Sequence, residues 1–224
     1  MNEIGFDWSV IDWADIWLAT QDTLTMLGVS LGFTIILGLP LGVLLYLLSP
    51  RQLMANKPAY SLLSFVVNAL RSLPFVILLI ILIPVTVKLV GTSIGVAGAI
   101  PPLVVGAAPF FARLVEATLR EVDRGIVEAS QAMGATLWQI VTRALLPEAL
   151  PGLLAATTVT AVTLVSYTAM SGVIGGGGLG DLAIRFGYQR FQTEVMVVTV
   201  LALLALVQLL QMTGDWLVKR ATRK

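Results

Sequence analysis

EASQAMGATLWQIVTRALLP, residues 128–147, lies in the longest charged stretch of the chain, between two apolar runs each long enough to cross a bilayer. Glu128 to Met133 are good helix formers, and Gly134 offers the left-handed backbone that ends a helix. Thr136, with Gln139 three residues on, is a capping-box pattern for a second helix. Pro147 is expected to close the unit, because proline removes a donor from the helical ladder. A helix, a glycine and a second helix make a stiff elbow. Met133, Leu137 and Ile140 are expected on its outside, where they would fill a groove on a partner. The plain alternative is an amphipathic helix resting on the membrane surface.

The rest of the chain is apolar. Of its 224 residues 57% are hydrophobic and 12% charged, with a mean hydropathy of +0.91. A soluble domain carries about 25% charge, so this one is expected to be dissolved in lipid. Five segments are long and apolar enough to span: 24–48, 61–87, 94–119, 150–172 and 195–218. These predict an all-α, polytopic helical bundle forming one domain over 1–224, with the elbow at 120–148. Pro40 is expected to kink the first span, and Pro101, Pro102 and Pro109 to break or bend the third. With no Cys and no His there is no thiol chemistry and no usual zinc site, and no metal is expected. No basic patch for nucleic acid stands outside the membrane ends. No cleavable signal is expected, since residues 1–22 hold five acids and no Lys or Arg.

Charge sets the expected orientation. Arg51 and Lys57, then Arg113, Arg120, Arg124 and Arg143, then Lys219, Arg220, Arg223 and Lys224 fall on one side, against Lys88, Arg185 and Arg190 on the other. The positive-inside rule puts the first group in the cytoplasm. Five spans then place the N-terminus outside and the C-terminus inside. Trp8, Trp13 and Trp17, beside Asp7, Asp12 and Asp15, read as a short helix at the outer interface within an external segment over 1–22.

The spacing Glu128-Ala129-Ser130, three residues, Gly134, nine residues, Ala144, one residue, Leu146-Pro147 resembles the cytoplasmic coupling loop of ATP-binding-cassette importer permeases. Ser130 stands where that pattern has a second alanine, and Ala144 where it has isoleucine. Further stretches are similar to the methionine-importer permeases of that family: NALRSLPFVILLIILIP (68–84), VGTSIG (90–95), VGAAPFFARLVE (105–116) and LLPEALPGL (145–153). The likeness runs from about residue 24 onward. It implies the type I importer permease fold, a homodimer in a bacterial inner membrane, and two copies of a separate ATPase that carries the Mg-ATP. An external methionine-binding protein would deliver D- or L-methionine. Glu128, Ala129, Ser130, Gly134, Ala135, Thr136, Leu146 and Pro147 would then face the ATPase. This chain would hold no cofactor and catalyse no reaction.

Two other classes stay open: a permease for another small amino acid, and a secondary carrier. A carrier commonly places acids or His within its spans, and no mid-span acid is expected here. Gly175, Gly177 and Gly180 satisfy G-x-G-x-x-G, but their flanks are a span and a loop rather than a βαβ unit, so no dinucleotide site is expected. Gly175–Gly178 reads instead as a flexible turn near the pore mouth. Gly28/Gly32 and Gly38/Gly42 fit the close-packing spacing of membrane helices. Candidate pathway residues are Arg71, Ser166, Tyr167, Met170 and Ser171. A lone Arg71 cannot satisfy both ends of a zwitterion, so substrate selection is expected to lie mainly outside this chain.

Overall fold

The computed structural model describes residues 8–222, and among these every regular element is helical. Asp7, Arg223 and Lys224 lie outside the described residues. After a 3-10 turn at Trp8–Val10, Asp12 accepts a hydrogen bond from the Ala14 N–H at 2.9 Å and starts helix α1, Trp13–Leu48. Trp13 and Trp17 therefore belong to a 36-residue helix rather than to a separate interfacial one. α1 stays helical through Pro40.

The span expected at 61–87 is two helices. α2 is Lys57–Ser72, capped by the Asn56 side chain, and α3 is Phe75–Val90. Leu73 and Pro74 between them are extended, with ψ of 131° and 133°. Proline drives the residue before it out of the α region, and here that ends α2. The opposite holds for α4, Gly95–Arg120, which runs unbroken past Pro101, Pro102 and Pro109. Each of those prolines deletes one backbone bond, yet its fixed φ is a helical φ. The expected break does not occur. α4 also carries Arg113 within it, so the charged loop begins only after Arg120.

The elbow comprises α5, Arg124–Ala132, and α6, Leu137–Ile140. A π turn at Val141–Leu145 follows, then α7, Leu146–Glu148, and the long α8, Leu150–Ser171. Pro147 does not close the unit. The Leu146 N–H reaches back to the Val141 carbonyl, and this widened turn accommodates the proline ring that an ordinary α turn would push into a carbonyl. A 3-10 turn at Gly172–Ile174, the short α9, Gly178–Leu182, and a π turn at Ala183–Tyr188 lead to α10, Thr193–Thr222. α1, α4, α8 and α10 are each long and apolar enough to cross a membrane; α2 and α3 together are long and apolar enough for a fifth span but meet at a bend of 106°.

The chain divides into two compact units. One takes in residues up to Gly32, with 74–105 and 161–210; the other takes in 33–73, 106–160 and 211–224. The second unit packs Tyr46 and Leu47 of α1 on Phe111, Val115 and Leu119 of α4. Gly38 and Gly42 allow that approach: a Cβ on Gly42 would lie 2.5 Å from the Ala112 carbonyl oxygen and 2.6 Å from the Val115 Cβ. The other glycine pair, Gly28 and Gly32, meets nothing within 4 Å. In the first unit the core is Ile11, Ala19, Leu179, Leu182 and Val195. There the glycine-rich stretch is packed rather than loose. Gly178, Leu179 and Gly180 are buried, and the Leu179 N–H donates to Thr23 Oγ1 at 2.9 Å.

Candidate functional site

The elbow is built by local hydrogen bonds that the sequence specifies residue by residue. Asp123 starts α5 by accepting from the Gly125 N–H at 2.7 Å. At the far end Gly134 takes φ 77°. Its N–H donates to the Gln131 carbonyl at 2.9 Å and the Ala135 N–H to the Ser130 carbonyl at 3.1 Å, the paired bonds of a Schellman stop. Thr136 and Gln139 then form a complete capping box, with the Thr136 N–H donating to Gln139 Oε1 at 2.9 Å. No flexible connection is left between the two helices.

One face of this knob is anchored. Val127, Ile140, Val141 and Leu145 are buried with Tyr46, Phe111 and Leu119 in one apolar cluster. The opposite face is open: Met133 is 80% exposed, Trp138 74% and Leu137 38%. Ile140, expected on the outside, is instead 3% exposed and belongs to the anchor. Trp138 was not singled out from the sequence, although its large apolar side chain between Leu137 and Gln139 was the available signal. Glu128 and Ala129 are exposed, as are Gly134, Thr136 and Pro147, while Ser130, Ala135 and Leu146 are half-buried. Glu128 pairs with Arg124 at 3.3 Å, both well exposed. The elbow thus presents a convex apolar tip rimmed by charge on a rigid base.

Behind the elbow stands a buried charge centre. The Glu116 side chain is 4% exposed. Arg113 Nη1 donates to its Oε2 at 2.6 Å, and Arg120 Nη2 to its Oε1 at 2.7 Å. Tyr60 Oη on α2 donates to Oε1 at 3.0 Å and accepts from Arg120 Nη2 at 3.1 Å. Arg113 Nη2 reaches α2 as well, donating to the Ser64 carbonyl at 3.1 Å and to Ser64 Oγ.

The pathway candidates differ in their surroundings. Arg71 is exposed, its guanidinium 5.7 Å from the Phe110 ring centre. Tyr167 is half-buried and stacks on Phe75 at 4.3 Å. Ser166 and Met170 are exposed, whereas Ser171 is fully buried and donates to the Thr168 carbonyl at 2.7 Å. Among the described residues no cluster of carboxylates could hold a metal ion.

The family model for binding-protein-dependent transport system inner membrane components matches residues 38–224. The chain belongs to that family. It is 48% identical to the probable D-methionine transport system permease of Vibrio cholerae, over 92% of each chain. It is 50% identical to the D-methionine transport system permease of Escherichia coli K12, over 93% of this chain and 98% of that one. With the methionine import system permease of Bacillus subtilis the identity is 46% over 92% of each. Among solved structures, the methionine ABC transporter in an inward-facing conformation superposes with a TM-score of 0.92 at 48% identity, covering 94% of this chain and 99% of that chain. An amino-acid ABC transporter with histidines, at 18% identity and TM-score 0.77, shares the fold. As a member of the family this is a multi-pass membrane protein of the transport-permease class.

Proposed function

We propose that the chain is the membrane subunit of an ATP-driven methionine importer. Two copies would form the pathway, and each elbow would seat in a separate ATPase that holds the Mg-ATP. Identities of 46–50% to methionine permeases across nearly the whole chain support the substrate. The observation that carries the mechanism is the elbow: a stiff base with Met133 and Trp138 turned outward. Closure of the ATPase pair would draw two elbows together and tip a two-state equilibrium of the helices. An external methionine-binding protein makes the selection, and this chain performs no covalent chemistry. Ten Lys and Arg on one side against three on the other support a cytoplasmic elbow and an external N-terminus.

Uptake of labelled methionine by an auxotroph lacking its own importer tests this. Expression of this chain with its ATPase and binding protein should restore ATP-dependent uptake, and omission of this chain should abolish it. Restored uptake of a different amino acid that methionine fails to compete away would contradict the substrate. Uptake independent of the ATPase would contradict the class.

A further inference from the structure

Glu116 has more partners than the stability of its own helix requires. A carboxylate within a membrane helix is costly and needs partners. Arg113 and Arg120 on α4 already supply two, at i−3 and i+4. Yet the centre also recruits α2, through Tyr60 Oη onto Glu116 and through Ser64 onto Arg113. It closes into a ring, because Arg120 donates to both Tyr60 and Glu116. Those two contacts from α2 tie together segments 56 and 49 residues apart in sequence.

The position of the ring gives the contacts a use. α4 ends at Arg120, and only Glu121, Val122 and the capping Asp123 separate it from α5. α2 leads in the other direction to the extended Leu73–Pro74 break. Charge-assisted hydrogen bonds in a low-dielectric setting are strong and directional, so they hold two helices in one geometry where apolar contact alone lets them slide.

We propose that Glu116 is a positioning residue for transport. It clamps α2 to the elbow end of α4, so that displacement of the elbow carries α2 and reaches the break before α3. The clamp deepens the importer reading and rests on it. The elbow by itself decides whether the ATPase binds; the clamp decides whether its stroke moves the membrane helices.

Tyr60→Phe with Ser64→Ala removes both hydroxyls that α2 contributes, and leaves the Arg113–Glu116–Arg120 pairs on α4 and the single Arg113 bond to the Ser64 main-chain carbonyl intact. The purified complex with its ATPase and binding protein, in proteoliposomes, is assayed for methionine imported and ATP hydrolysed. Wild-type import driven by ATP checks the importer reading, and the variant's ratio of the two rates checks the clamp. The double variant should assemble and hydrolyse ATP within about twofold of wild type, while methionine imported per ATP falls at least fivefold. Tyr60→Phe alone should fall part of the way. An unchanged ratio would overturn the proposal, whether both rates fall together or neither moves. Loss of assembly already in Tyr60→Phe would also overturn it, because the contact would then be a structural one.

Discussion

Met133 and Trp138 are two large, exposed apolar side chains on a base that cannot fold over them. Exposed side chains of this kind contribute little to folding, usually within about 0.5 kcal/mol. At the centre of an interface, however, a buried aromatic anchor is worth about 2 kcal/mol or more, roughly a thirtyfold change in affinity. Replacing both by Ala should therefore leave membrane insertion and the thermal midpoint unchanged. Co-purification with the ATPase should drop by an order of magnitude or more. Full retention of the ATPase would show that another surface carries the contact. Glu116 behaves oppositely, because its partners are internal. Glu116→Ala removes the buried carboxylate and leaves the half-buried Arg113 only its Ser64 contacts; losing one partner of a fully buried pair costs about 3–5 kcal/mol, so that variant should lose thermal stability by up to that amount.

Two glycine pairs in α1 obey the same spacing and do different work. Gly42 lies under Ala112 and Val115 with no room for a Cβ, whereas Gly28 faces open space. Overpacking costs about 1–3 kcal/mol, so Gly42→Val should lower the midpoint of the isolated subunit by several degrees and Gly28→Val should hardly move it. Equal losses at both would contradict the packing described. Spacing alone could not separate the pairs, because α4 decides which one is covered. The same limit explains the prolines. α2 ends before Pro74, whereas Pro101, Pro102 and Pro109 lie inside an unbroken α4, a difference that the presence of proline alone does not signal. The elbow was legible for the converse reason. Gly134, Thr136 and Gln139 act on backbone groups within three or so residues of themselves, so their pattern carries its own structure. Tyr60 and Ser64 meet α4 only in the fold, and nothing local announces the Glu116 centre.

At the scale of the molecule, four long apolar helices, the bent α2–α3 pair taken as a fifth span, and an asymmetric charge distribution predict a testable topology. Reporter fusions after residues 22 and 190 should report outside; fusions after 55, 135 and 224 should report inside. A cytoplasmic N-terminus would mean that α2 and α3 do not together cross the membrane. The central claim is that a rigid elbow turns the ATPase stroke into import, and Gly134→Val tests it most directly. Within this chain nothing lies within 4 Å of where a Cβ would stand, so inside the subunit the effect falls on the backbone, held at φ 77°. A β-branched residue there costs on the order of 1 kcal/mol or more and loosens the turn between α5 and α6. Measured in proteoliposomes with ATPase and binding protein, methionine uptake and stimulated ATP hydrolysis should both collapse while the subunit inserts and dimerises normally. Uptake and stimulation at wild-type rates in that variant would contradict the account.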